Sequence, residues 1–433
     1  MSKIDEVKRN IIERFDDMKW VDNHEHLSSP FLPEATFEMD LPYFLTHTYL
    51  FADLISSGMP GDYLTPEKYK YLEKPFGEDQ SEQRWKELKP YIEKVRNTIY
   101  YRYLLIALHD LYGLESEEID DSNWKEISER IREKSKNHLE WSLAILDKMK
   151  VHRVILDING TNLPNNKIVK DERLVQVVRM DEFIYGGPTY MSVVKNFTDE
   201  KVHSFDDYVN VVDTAFKAAK KAGAIGIKST MAYIRTLQFE NVGRADAEKV
   251  FNKDLDKVGQ DEKKVFQDFM MHLVCQKCEE YKLPLQIHTG IQAGNFNTIT
   301  NAKPTYLTNL FQKYPDVRFD LFHGGYPYLR EAGILAKYFP NVYVDACWVA
   351  HISPTAYKQA LNEWLEVVPS NKIFAWGGDH LLIEHSYASL NLAKDLVSDV
   401  LAAKVTSGYF SKKVAFMVAD RIMGQNAAEV YNF

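Results

Sequence analysis

The chain has 433 residues, enough for one large domain or two modest ones. Its apolar fraction of 45% and charged fraction of 27% describe an ordinary globular composition. A formal net charge of −9, with no long Lys/Arg block, argues against a nucleic-acid partner. No apolar run is long enough to span a bilayer, and the charged start Met1-Ser2-Lys3-Ile4-Asp5-Glu6 lacks the apolar stretch of a signal peptide. The 3 cysteines fit a reducing compartment, so a cytoplasmic location is expected. Cys275 and Cys278 lie three apart in a helical pattern, which reads as helix packing rather than a redox or zinc pair.

In chain order, apolar residues Ile4, Val7, Ile11, Ile12 and Phe15 recur at helical spacing and lead into an apolar stretch ending Val21-Asp22-Asn23-His24-Glu25-His26. On a strand, side chains i and i+2 share a face, so His24 and His26 would stand side by side. Residues 30–150 then carry helical patterns near 41–57, 81–112 and 122–149, too much for a connecting loop. They read as a helical insertion covering whatever the first strand presents, with His47, Tyr49 and Phe51 as lid candidates. From Val151 the pattern changes to short apolar strands separated by helices. Strand runs are expected at 151–158, 174–180, 224–229, 284–290, 317–325, 342–347 and 373–379. Helices are expected at 205–221, 245–282, 304–314, 327–338 and 354–367, then from about 384 to the end, with the last over 420–431. With the first strand this makes about eight. Alternation of that kind predicts an α/β fold, a (β/α)8 TIM barrel forming one unit over residues 1–433, with the helical insertion after its first strand. An open doubly wound sheet is the alternative, disfavoured because no Gly-x-Gly-x-x-Gly follows a strand.

In such a barrel the site is built at the C-terminal ends of the strands. Those ends carry His24, His26, Arg179, Lys228, His288, His323 and Asp379. Neutral imidazoles with one carboxylate suit a divalent ion, Zn2+ above all. A carboxylate beside such an ion can accept a proton from an activated water and pass it on. Arg179, Tyr233, Arg235, Gln292, Asn295, Tyr326 and Trp348 follow strand ends within reach of a substrate. The arginines suggest a substrate carboxylate and the rings a planar or apolar part.

Here a resemblance becomes specific. Asp22-Asn23-His24-Glu25-His26, His288 on the fifth strand, His323 on the sixth and Asp379 on the eighth resemble the amidohydrolase superfamily. Gln286-Ile287-His288-Thr289-Gly290, the run Phe322 to Gly333 and Asn341-Val342-Tyr343-Val344-Asp345 resemble its amidohydrolase-2 type, as in nodulin-like and glutamine synthetase-fused proteins, with uronate isomerase more distant. The resemblance covers roughly residues 15–30 and 150–433. It implies that His24, His26, His288 and Asp379 ligate a metal. It also implies that His323 is an acid, base or electrophile in a one-metal site, or a ligand in a two-metal site. Lys228 is then a bridging carbamate or an ordinary ammonium. The activity implied first is metal-dependent hydrolysis of a small, carboxylate-bearing molecule, with Asp379 and His323 catalytic. Decarboxylation or uronate-type isomerisation on the same site is the alternative, and a non-catalytic binding or scaffold barrel a third reading. The partners expected are a small-molecule substrate and a second copy of the chain.

Overall fold

The structure is a computed structural model that describes residues 3–15, 17–27, 31–32, 39–60, 78–159, 168–186, 194–197, 202–253, 255 and 257–433. Eight strands follow one another around a single sheet in sequence order, each parallel to the next. They are β1 Trp20–Glu25, β2 Val151–Asn159, β3 Leu174–Arg179, β4 Ala224–Ser229, β5 Leu285–His288, β6 Phe319–Phe322, β7 Val342–Asp345 and β8 Ile373–Phe374. This is the (β/α)8 barrel, nearly closed. Above the ends of β8 and β1 the Asp379 N–H donates to the His24 carbonyl at 2.8 Å, and the His26 N–H donates to the His380 carbonyl at 2.9 Å.

The outer helices form for local reasons. In α8 (Phe205–Lys221) Ser204 and Asp207 make a capping box, and Gly223 follows the end at φ +85°. The helix buries Phe205, Tyr208, Val212, Ala215, Phe216 and Ala219 at spacings of three and four. The Cys275/Cys278 pair is buried with free thiols in α9 (Gln260–Tyr281), as the packing reading expected.

The bottom of the barrel is plugged from inside. Val21, Ile155, Val177 and Phe374 pack there against Val430 and Tyr431 of the last helix, and the Tyr431 hydroxyl donates to Asp320 at 2.6 Å. The chemistry is therefore confined to the opposite end. The single helix expected over 420–431 is instead Lys412–Asp420, a π turn at Arg421–Gln425, then Asn426–Tyr431. The irregularity brings Gly424 onto the start of β1, where a Cβ would meet the Lys19 carbonyl at 2.1 Å. Likewise 245–282 divides into Arg244–Phe251 and α9, and 304–314 begins as 3-10 turns before Thr308–Lys313.

Between β1 and β2 the described residues form six helices: α2 Leu41–Thr46, α3 Leu50–Ser56, α4 Glu78–Val95, α5 Ile99–Tyr112, α6 Trp124–Ser135 and α7 His138–Met149. Their apolar faces make a second core, which reaches the barrel through Leu382 and Ala388. The contact is also polar. Tyr112 donates to Glu384 at 2.8 Å, and Tyr387 donates to Asp110 at 3.0 Å. Leu50 and Leu54 of α3 pack into this second core, and Tyr49 just before them hangs over the barrel mouth, its hydroxyl donating to the Asp379 carbonyl.

Candidate active site

β1 delivers two histidines to one face. His24 is buried and His26 half-buried, with ring centroids 4.8 Å apart and edge to face. Asp379 sits between them: its Oδ1 is 3.3 Å from His24 Nε2 and 3.1 Å from His26 Nε2. Asp379 has φ +61°, a left-handed conformation that few non-glycine residues adopt. The neighbouring backbone is clamped into it. Gly378 N–H donates to Asp22 Oδ1 at 3.0 Å, and His380 N–H donates to Glu25 Oε2 at 2.6 Å. A Cβ at 378 would meet the Glu25 carboxylate, so glycine there lets Glu25 keep its hold on the His380 N–H. Burial raises both the Asp22 and Glu25 carboxyls, and Glu25 rises further because Asp22 is its neighbour.

β5 and β6 bring a second pair. His323 Nε2 lies 3.2 Å from His288 Nδ1, and 3.8 Å from Asp379 Oδ2. The other nitrogens face carbonyls: His288 Nε2 at 2.8 Å from Ile291 O, and His323 Nδ1 at 3.1 Å from Cys347 O. A carbonyl only accepts, so these nitrogens carry the hydrogens. His288 Nδ1 and His323 Nε2 therefore turn lone pairs toward each other. That contact repels unless a cation or proton stands beside it. Burial, reinforced by the neighbouring charges of Lys228 and the other histidines, keeps His24 and His288 well below the ordinary imidazole range, and burial brings His323 down to about 4. Neutral imidazole is the form that ligates metals. Asp379 stays ionised: burial pushes its carboxyl up, but the His26 hydrogen bond and the surrounding imidazoles hold it well below the usual range. This donor set fits a divalent ion.

A second carboxylate lies close by. Asp157, near the end of β2, has Oδ2 3.8 Å from both His24 Nε2 and His26 Nδ1, and the three residues form a compact group of ligand atoms within 4.8 Å. The sequence reading passed over Asp157. The rule that found the other strand ends would have found it, had β2 been read one turn less tightly against Asn159-Gly160. The same Oδ2 accepts from Arg179, so Arg179 lines the cavity wall as an ion-pair partner rather than as an open cation. Lys228, on β4, is buried with Nζ 3.6 Å over the Phe322 ring and has no hydrogen-bond partner among the described residues. Burial lowers it against the pull of Asp157 and Asp379.

These groups surround a cavity of about 570 Å³. His24, His26, Asp157, Arg179, Lys228, His288 and Asp379 line its floor, and Tyr49, Tyr233, Ile234 and Leu381 line its mouth. Other expected contacts lie elsewhere. Arg235 is turned away, paired with Asp268 at 2.7 Å and stacked over Phe239, because the 3-10 turn at Met231–Tyr233 swings the chain outward. Gln292 is buried and donates to the Ala232 carbonyl at 2.7 Å. Tyr326 supports the His323 turn through its backbone, its N–H donating to the His323 carbonyl at 2.8 Å. Trp348 stands behind His323, edge-on at 5.1 Å, and stacks on Tyr49 at 4.1 Å. Asn295 donates to the Ala52 carbonyl at 3.1 Å and so ties the loop after β5 to α3. Of the lid candidates, Tyr49 enters the cavity, Phe51 lines an adjoining pocket and His47 stacks on Tyr43.

A barrel with histidine and carboxylate groups gathered at its strand ends defines a metal-dependent enzyme class. The glucuronate isomerase family matches residues 73–303, and the amidohydrolase family matches residues 251–433. The chain belongs to the amidohydrolase superfamily, within the glucuronate isomerase family, whose match spans more than half its length. It is 28% identical to Protein fluG of Emericella nidulans over 284 residues, 61% of this chain and 32% of that protein, so it spans about a third of that relative's length. In fold it is similar to glucuronate isomerase from Caulobacter crescentus, with a TM-score of 0.80, 16% identity, and coverage of 99% of this chain and 94% of that one. It is also similar to uronate isomerase from Thermotoga maritima, at 0.77, 16%, 98% and 97%. A putative metal-dependent hydrolase from Lactobacillus casei follows, at 0.64, 18%, 96% and 96%. Among the described residues no helix is long and apolar enough to cross a membrane.

Proposed function

We propose that the chain is a metal-dependent hydrolase of a small, carboxylate-bearing molecule, with His24, His26 and Asp379 as the principal ligands. Asp379 is preferred to Asp157 because Asp157 Oδ2 already accepts from Arg179, whereas Asp379 reaches both Nε2 atoms. The ion, zinc by the chemistry of the donor set, supplies Lewis acidity and a water acidic enough to attack at neutral pH. Asp379 has a second oxygen facing His323 and takes the proton that the nucleophile gives up, then returns it to the leaving group. His288 and His323 would steady the substrate oxygen or hold a second ion, and Lys228 would supply an anionic ligand there once its neutral amine has added CO2. Arg179, still partly exposed, offers its outer edge to a substrate carboxylate. The observation that carries this reading is the single carboxylate reaching His24, His26 and His323 at once. Such a group is placed both to bind and to relay.

A second reading is uronate isomerisation, favoured by the glucuronate isomerase match over residues 73–303. There Asp379 and His323 would move a proton between adjacent carbons, with no net uptake of water. One incubation separates the two. Metal-loaded protein in 18O-labelled water is offered amides of small dicarboxylic acids, and separately glucuronate and galacturonate. Heavy oxygen in a product carboxylate supports the hydrolase. A ketose formed from the uronate supports the isomerase and overturns the hydrolase.

A further inference from the structure

The cavity does not end at its mouth. A second pocket of about 220 Å³ adjoins it and shares two of its walls, Tyr49 and Ala293. Phe51, Ala52 and Ile55 from α3, with Gly294 and Asn295 of the loop after β5, complete it. This lining is mostly apolar. Asn295 spends its amide N–H groups on the Ala52 carbonyl at 3.1 Å and Ser56 Oγ at 3.2 Å, so it fixes the wall rather than offering donors to a ligand. Nothing lies within 4 Å of a Cβ built on Gly294, so that side is open. The rim of the metal cavity itself is apolar and poorly covered. Ile234 is 54% exposed, Leu381 45% and Tyr233 38%. Isolated exposed apolar side chains are ordinary, but three on the rim of one polar cavity make a surface that a ligand would dry.

We infer that the α3 pocket is a binding subsite for an apolar or aromatic group on the substrate, whose polar head occupies the metal floor. The space suits a single ring or a short branched chain, since a cavity of about 150 Å³ already accepts benzene. A uronate carries hydroxyls along its length and has nothing to place there. The substrate class is therefore a small acid bearing an aryl or acyl tail. This rests on the reading that the polar head binds at the His24–Asp379 floor, but not on whether that head is hydrolysed.

The test uses the intact zinc-loaded chain and direct binding, by calorimetry or ligand-observed NMR. The probes are acetate, butyrate, hexanoate, 3-phenylpropanoate and glucuronate. Affinity should rise about fourfold for each methylene that enters apolar surroundings, until the space is filled. Ala52→Phe, which fills the pocket, should erase the gain for hexanoate and 3-phenylpropanoate while acetate binds as before. Ile55→Ala, which enlarges it, should move the best tail to a longer one, and covers the case in which Ala52→Phe fails to fold. Equal affinity for acetate and 3-phenylpropanoate, or tail preference unchanged in both variants, overturns the subsite. Tail preference without turnover of any amide leaves the subsite standing and removes the hydrolase reading instead.

Discussion

Two groups of histidines sit side by side at the mouth of the barrel, with opposite surroundings. His24, His26, His288 and His323 converge on Asp379. His351, His380 and His385 stack on one another and on aromatic rings instead. The His351 and His380 centroids are 4.6 Å apart, Tyr103 stacks on His380 at 5.5 Å, and Phe44 meets His385 at 4.5 Å. Burial lowers His24, His288 and His323 in the first group and His351, His380 and His385 in the second. Among the described residues the compact group of metal-ligating atoms contains His24 and His26, and none contains His351, His380 or His385. Neutral imidazole is thus necessary for a metal site but insufficient. The first group adds carboxylates, which offset part of a bound ion's charge.

The sharpest break between the groups is expected in catalysis. His24→Ala or Asp379→Asn should lower kcat/KM by more than about a hundredfold, since even partners one step removed from a metal cost 10–100-fold. His351→Gln should stay within about tenfold, because its Nδ1 contact is only Ser389 Oγ, at 3.0 Å. Next come the clamps on Asp379. Glu25→Gln and Asp22→Asn should weaken metal affinity by about 10–100-fold, read by competition with a chelator, while the fold survives. Unchanged affinity would mean that the Gly378 and His380 contacts do not position Asp379.

Arg235 sharpens the contrast with Arg179. Its side chain is 11% exposed and that of Asp268 2% exposed. Arg235→Ala leaves Asp268 with Lys264 alone, at 2.6 Å, and should therefore cost about 1 kcal/mol of stability, with KM unaffected. Arg179→Lys should instead raise KM.

The second group also carries a pH dependence of stability. Burial pushes His351 down to about 3, from an ordinary 6.5. Between those values the unfolded chain binds a proton that the folded chain refuses, so stability from this position is complete above pH 6.5 and drains away as pH falls toward about 3. Glutamine does not titrate. The Tm of His351→Gln relative to the parent should therefore rise as pH is lowered from 7 to 4, and a constant difference would contradict the burial argument.

Much of this was legible in the chain because it depends on short-range rules. Period-two placement of His24 and His26, and histidine or aspartate at the ends of strands five, six and eight, are properties of ten-residue windows. So were the barrel itself and the free, helix-packed Cys275 and Cys278. What escaped depends on longer reach. Asp157 was hidden because β2 runs on past it to Asn159. Arg235 seemed a substrate group until the turn at Met231–Tyr233 carried it to Asp268. The second histidine group is covered by Phe44 and Tyr103 of the insertion, and no local pattern announces that.

The most direct measurement is the metal content of purified protein, by elemental analysis after zinc loading and desalting, in the parent and two variants. The account predicts one or two ions per chain in the parent, loss of metal in His24→Ala and the parental value in His351→Gln. Metal retained in His24→Ala, or lost only in His351→Gln, would place the ion in the wrong group of histidines and contradict the assignment.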